Sequence, residues 1–415
     1  MLRNASVRSA KGLLRARALL AAVVLAVILV GLGGWLLRPS PDLASPPPES
    51  APAVTTEPAA AAADDAGAAA EAAGAVRGHQ EDAPVLPGPP EWRALVVALP
   101  PEERAAWLAQ WWEQARATQE EEVLAQWLVG FLASGLDLAT GLDFAVGPGG
   151  ALETAPTLRV QVLDWLGALA PELAAAEARA VLDRSPSPDE WAVALRNYGR
   201  TLAVPSEDAY YLDRVLMLLE QPSWQAGPTR GYLEAFDAAV HSGAEAVVEP
   251  LLALSLDAPH PGTRRVATMA LDSLAADDPL LVARVITAPG SPLREMPTFR
   301  ASLMARLDPR EPDHVAELSA YLLTVAEAGE ERAAFAGSFP NLNDFAAHYL
   351  LTRQPGRNLV EMARTDLAAY ELVRQWQTNP AFAARRDTLE AIEARLRPFL
   401  ESAVRGGFLP AEELE

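Results

Sequence analysis

The chain has 415 residues, a formal net charge of −21, half its residues hydrophobic and no cysteine. The length suffices for a sizeable core and excludes a stapled mini-protein. The missing cysteines exclude a disulfide framework, a thiol nucleophile and a thiolate-ligated metal. The acidic balance argues against a nucleic-acid binder, which needs a basic surface to displace counterions from phosphates.

The charge is unevenly spread. Arg3, Arg8, Lys11, Arg15, Arg17 and Arg38 come before the first acid, Asp42. Lys11 is the only lysine, and with abundant Ala, Arg, Pro and Gly this reads as GC-rich codon usage in a bacterium. Residues 18–37 (ALLAAVVLAVILVGLGGWLL) carry no charge. At 1.5 Å per residue such a helix spans ~30 Å, the thickness of a bilayer core. Trp35 sits where an indole suits the headgroup region, and Arg38 ends the run. Basic residues crowd the 1–17 tail, so the positive-inside rule puts the N-terminus in the cytoplasm and the rest outside it. The run is longer than a signal-peptide core, and Arg38-Pro39-Ser40-Pro41 is a poor cleavage context. The expectation is an uncleaved single-pass anchor in the inner membrane, with a periplasmic domain. Gly31, Gly33 and Gly34, with Ala22 and Ala26, give a small-residue surface on which a second copy would pack as a homodimer.

Residues 38–90 are rich in Pro and Ala, including Pro46-Pro47-Pro48 and Ala59 to Ala63. Few large apolar residues are present, so a disordered spacer is expected. From Glu91 onward the pattern is helical. Pro100-Pro101-Glu102-Glu103 is a helix start, and Trp107, Leu108, Trp111 and Trp112 follow at helical spacing. Thr118 is expected to cap the next helix, through Val123, Leu124, Trp127, Leu128 and Phe131. Adjacent helix positions lie about 100° apart, so one of Trp111 and Trp112 should be partly exposed. Gly147-Pro148-Gly149-Gly150 reads as a turn, and no stretch alternates long enough to be read as a strand.

A proline–two residues–arginine signature then recurs at Pro156–Arg159, Pro261–Arg264 and Pro297–Arg300, with degenerate copies at Pro188 and Pro228. The steps are 32, 40, 33 and 36 residues, with room between successive copies for one more helix. Those intervening helices are expected at Pro171–Leu182, Ser206–Glu220, Ala244–Leu256, Asp278–Ile286 and Pro312–Ala326. Two helices per ~35 residues is the pattern of a helical-hairpin solenoid. One unit carries more detail. Val247, Pro250, Leu251, Leu252, Leu254, Leu256 and Asp257 precede Arg264, Arg265, Val266, Ala267, Ala270, Leu271 and Leu274. This unit resembles a HEAT repeat. The resemblance implies a stacked α-solenoid whose curved face binds another protein.

The last part departs from the repeat. An Asn-capped helix is expected after Asn343, another from Thr365, and a charged one from Pro380 to Arg405, stopped by Gly406-Gly407. Leu389, Ile392, Leu396 and Leu400 form its apolar face. The fold expected is thus all-α: a helical cap over 91–155, HEAT-like repeats over 156–310 and a second cap over 311–415, behind the membrane helix and linker.

The chemistry-bearing residues do not assemble into a site. His79, His241, His260, His314 and His348 include no i, i+4 pair, and Asp313-His314 with Glu317 is ordinary helix-start chemistry. No P-loop, dinucleotide fingerprint or Gly-x-Ser-x-Gly elbow is present. No catalytic, metal or cofactor residue is assigned. The reading is a non-enzymatic scaffold that binds an envelope protein, with Trp111, Trp112, Arg159, Arg264 and Arg300 as its contact residues. The alternative is a glycan-directed envelope hydrolase using paired carboxylates, which need no local motif.

Overall fold

The computed structural model describes residues 86–324, 329–343, 350–352 and 358–414. The expected anchor at 18–37, the linker and the helix expected after Asn343 lie outside the described residues or only at their edge. Among the described residues no helix is long and apolar enough to cross a membrane. They are mostly helical, as the periodicity indicates.

Three helices open the described part: α1 (Pro89–Val97), α2 (Pro101–Thr118) and α3 (Glu121–Ala133). Thr118 is not a cap. It is the last residue of α2, and its hydroxyl donates to the Gln114 carbonyl at 2.8 Å. The three helices are pinned by indoles rather than by a leucine zipper. Trp92 is fully buried, with Trp111, Trp127 and Phe131 centroids 5.1–5.3 Å away. Trp112 lies flat on Trp165 at 4.8 Å. Offset and edge-on ring pairs of this kind add about 0.5–1.5 kcal/mol each beyond the area they bury.

A short antiparallel hairpin follows, β1 (Ala145–Val146) and β2 (Leu152–Thr154), with Ala145 opposite Thr154 and Val146 opposite Leu152. Two- and three-residue strands show no readable alternation, which is why the sequence hides them. The glycine-rich stretch is their turn, as read. Gly149 and Gly150 take φ of 72° and 76°, a backbone that favours glycine.

Then the hairpins begin: α4 (Leu158–Leu169), α5 (Pro171–Arg184), α6 (Pro188–Gly199) and α7 (Ala209–Leu219). Next come three short helices, α8 (Pro222–Ala226), α9 (Arg230–Glu234) and α10 (Asp237–Ser242). After them run α11 (Val248–Asp257), α12 (Pro261–Asp277), α13 (Pro279–Thr287), α14 (Pro297–Met304), α15 (Pro312–Thr324) and α16 (Gly329–Ser338). The prolines stand in the first turn of α5, α6, α12, α13 and α14, where a missing donor costs nothing. Pro156 and Pro228 stand two residues ahead of their helices, and Thr157 and Thr229 cap them instead.

Packing runs in two rows. In one, α4 packs on α6, α6 on α9 and α10, these on α12, and later α14 on α16. In the other, α7 packs on α11, α11 on α13 and α13 on α15. Each hairpin joins the rows, as α5 does with α6 and α11 with α12. The first row is the more enclosed. Every residue of α6 from Glu190 to Gly199 is buried. Close approach there depends on Gly231, where a Cβ would lie 2.3 Å from Asp189 Oδ1 and 2.9 Å from a Phe144 ring carbon.

The final pair, α17 (Leu359–Thr378) and α18 (Arg386–Arg405), pack on each other, and α18 packs on α16. The first of these begins six residues before Thr365, because Asn358 Oδ1 accepts the Val360 and Glu361 amides. The charged helix starts as a 3₁₀ turn over Pro380–Arg385 and becomes α-helical at Arg386. Leu389, Ile392, Leu396 and Leu400 are all fully buried on one stripe, as their spacing predicts.

Polar side chains knit the enclosed row with a period of its own. Arg159, in α4, forks onto Glu190, the third residue of α6, at 2.9 and 3.4 Å. Arg300, in α14, forks onto Glu331, the third residue of α16, at 2.7 Å twice. Both spacings are 31 residues. Arg300 and Glu331 are 7% and 2% exposed, so breaking one side strands a buried charge. Arg300→Met is expected to cost about 3–5 kcal/mol in urea unfolding, and Arg300→Met with Glu331→Leu to recover most of it.

Candidate functional site

The residues expected to meet a partner sit as follows. Trp112 is buried and Trp111 half-buried, so the adjacent-position argument holds, but both rings belong to the indole nest around Trp92. Arg159 and Arg300 are held by Glu190 and Glu331. Arg264 turns back on its own loop and donates to the Ala258 carbonyl at 2.6 Å, tying α11 to α12. Of the five, the three arginines are thus occupied in joining helices. Trp112→Ala is expected to lower stability by about 3–5 kcal/mol, read from the urea midpoint, because it empties the stacked site on Trp165.

A different cluster presents cations and rings at the surface, on α5 and α7. In α5, Ala174, Ala175, Ala178, Val181 and Leu182 form the buried stripe. That leaves Arg179 and Asp183 exposed, four residues apart on one face. In α7, Tyr211, Val215, Leu218 and Leu219 are buried, which sets Tyr210 and Arg214 at the edge beside α5. The two helices interdigitate there. The Arg179 guanidinium lies 4.4 Å from the Tyr210 ring centre and 5.8 Å from that of Tyr198. Arg214 covers Tyr210 as well, at 5.0 Å. Asp183 receives Arg214 at 2.8 Å and the Tyr210 hydroxyl at 3.0 Å.

The electrostatics of this cluster are clear. Burial, and then the Asp183 carboxylate, push the Tyr210 hydroxyl above its ordinary value, so it stays a donor. Burial, and then the charge of Asp208, do the same to Tyr198. Arg214 is neutralised by Asp183, whereas Arg179 meets rings rather than a carboxylate among the described residues. A guanidinium stacked on tyrosines keeps its edge donors for an incoming acid. Sequence reasoning missed this group, because no single helix shows it. The readable signal was the pair of i, i+4 sets, Arg179/Asp183 and Tyr210/Arg214.

The buried carboxylates are committed to framework roles. Arg196 reaches Asp164 at 2.5 Å and the Gly150 carbonyl at 2.6 Å, hanging the β-hairpin on α4 and α6. Asp272 takes a two-pronged contact from Arg306 at 2.9 and 2.5 Å. Asp189 accepts Thr229 and Gly231, and Tyr321 donates to Glu331. Among the described residues no three His, Asp or Glu side chains converge as a metal site. His314 Nδ1 accepts the Asp308 amide, and Glu317 accepts the Thr287 hydroxyl. His260 caps α12 through the Gly262 amide, and His241 Nε2 lies 3.2 Å from the Gly199 carbonyl.

Asp366 differs from these. Burial in α17 pushes its carboxyl up to about 6, against the opposing pull of Arg395. The folded chain therefore binds this proton more tightly than the unfolded chain does. Between about pH 4 and 6 the group lowers stability as pH rises, and above pH 6 the penalty is complete. Asp366→Asn should thus raise stability at pH 7 by about 1 kcal/mol, with the gain disappearing toward pH 4 in thermal melts across that range.

No family model, curated protein or solved structure matches this chain significantly, so the repeat stands on the chain's own residues.

Proposed function

We propose that the chain is a membrane-anchored, non-enzymatic scaffold whose HEAT-like helical domain lies outside the cytoplasm and docks an envelope protein. Residues 18–37 would hold it in the inner membrane and residues 38–90 would supply reach. The observation that carries the docking role is the Arg179–Tyr210–Arg214 stack. Tyrosine and arginine are the residue types most enriched at interface hot spots. Here they are pre-ordered, so little side-chain freedom is lost on binding. An exposed guanidinium on a chain of net charge −21 favours a partner that offers a carboxylate at that point and a neutral or basic surface around it.

The commitment of Asp164, Glu190, Asp272 and Glu331 to arginine partners supports the scaffold over a hydrolase. A paired carboxylate holding two helices in place is poorly suited to shuttle protons or attack a sugar.

The test is proximity labelling in the native cell, with the label fused after Glu415. A small set of envelope proteins should be recovered, and Arg179→Glu should reduce that recovery at least tenfold while leaving the urea midpoint unchanged. Recovery that Arg179→Glu and Tyr210→Ala leave intact would move the docking surface elsewhere. Labelling of cytoplasmic proteins alone would reverse the topology.

A further inference from the structure

Met217 stands on α7 three residues after Arg214 and seven after Tyr210, on the edge that faces α5. It is half-buried. Its sulfur accepts a hydrogen bond from Arg214 Nη1 at 2.9 Å. The same guanidinium donates through Nη2 to Asp183 at 2.8 Å, while Asp213 stands off at 3.8 Å. Arg214 Nε is shielded from water and meets no acceptor among the described residues. The Arg214 side chain is 19% exposed, and it is held by one carboxylate and one thioether with a donor to spare. Met269, Met296 and Met362 are half-buried too, but none of their sulfurs accepts a hydrogen bond among the described residues.

A thioether is a weak acceptor, and its sulfoxide is a strong polar one. Hydrogen peroxide or an organic peroxide makes that change in one step. The peroxide O–O bond breaks, one oxygen forms a bond to sulfur, and sulfur gives up two electrons. The other oxygen takes the proton of the transferred one and leaves as water or alcohol. The new oxygen needs about 2.8 Å to any nitrogen that donates to it. That length alone fills nearly all of the 2.9 Å between Nη1 and sulfur, so the guanidinium must shift. By turning toward the oxygen, the unmet Nε donor gains an acceptor. Asp183 loses its cation in the process. Arg179 lies four residues earlier on the same face of α5, at the spacing of a helical ion pair.

Resting on the docking reading above, we propose that Met217 is an oxidation site that switches the docking cluster off: its sulfoxide draws Arg214 away from Asp183, Asp183 closes onto Arg179, and the exposed cation is neutralised. The thioether form is the one that docks. A thiol-dependent sulfoxide reductase restores it, which gives a chain without cysteine a reversible response to oxidant.

The probe is hydrogen peroxide, added to the full folded chain, with Met217 sulfoxide followed by mass spectrometry. Arg179 is then read by its rate of modification by phenylglyoxal, an arginine reagent. Met217 should oxidise while the fully buried Met304 stays reduced, and the Arg179 rate should fall at least threefold. Met217→Leu keeps the volume and should make that rate indifferent to peroxide. Met217→Gln carries an oxygen acceptor and should lower the rate without peroxide, and adding Asp183→Asn should restore it. A Met217 that stays reduced, an Arg179 rate unmoved by its oxidation, or a peroxide effect that survives Met217→Leu overturns the switch. In the cell, Met217→Gln should reduce the recovery of envelope proteins by proximity labelling at least fivefold, and Met217→Leu should not. Recovery that needs Arg179 but ignores Met217→Gln removes the switch and leaves the docking reading. Failure to recover any partner removes the docking reading, and the phenylglyoxal rates still judge the switch.

Discussion

The constraint on which the rest depends is the burial of α6 on every side. Ten consecutive residues, Glu190 to Gly199, are shielded from water, and three of them are Glu190, Arg196 and Asn197. A helix buried all round is ordinarily apolar. Carrying a charge there costs several kcal/mol unless a partner of opposite charge is fixed in place. That requirement determines what surrounds it. Glu190 fixes where Arg159 must come from, and Arg196 fixes Asp164 on one side and the β-hairpin turn on the other. Asn197 bridges Arg196 and the Leu163 carbonyl. Apolar packing alone tolerates a helix sliding along its neighbour by a turn, whereas these contacts tolerate one register.

The same logic explains which features could be read in advance. Helix identity was legible because prolines, caps and apolar stripes act locally, within one or two turns. The Leu389–Leu400 stripe and the Gly406-Gly407 stop are local signals of this kind, and both stand in the structure. The Pro-x-x-Arg signature was legible too, but its meaning was not. An arginine at the fourth position of the signature looks the same whether it faces solvent or a carboxylate on the next hairpin. The missing information was the partner 31 residues on, a glutamate at the third position of the next helix in the row. Pairing the arginines with acids at that spacing would have placed Arg159 and Arg300 inside. Glu295 stands 31 residues after Arg264 as well, yet Arg264 closes its own loop, so the spacing alone does not tell the three apart.

What stayed illegible depends on long separations or very short elements. The hairpin strands are too brief to alternate, and the first helix of the final pair was placed late because Asn358 lies ahead of the apolar run that draws attention. The docking cluster needs two helices to assemble one tyrosine between two guanidiniums. The contacts of Asp237 with Leu351 and Thr352 span 114 and 115 positions. Within a window of twenty residues the first leaves only its two i, i+4 sets and the second leaves no trace.

Two kinds of carboxylate therefore coexist in the enclosed row. Those paired with arginine forks, such as Asp272 and Glu331, carry a directional, charge-assisted bond whose partner belongs to the packed framework and cannot leave without unfolding it. Asp237 carries comparable burial, and its contacts include the Leu351 and Thr352 amides and the Thr352 hydroxyl. The cost of leaving a buried carboxylate unmatched is the same for both. Both kinds fix register, the forks between helices and Asp237 between α10 and residues more than a hundred positions on.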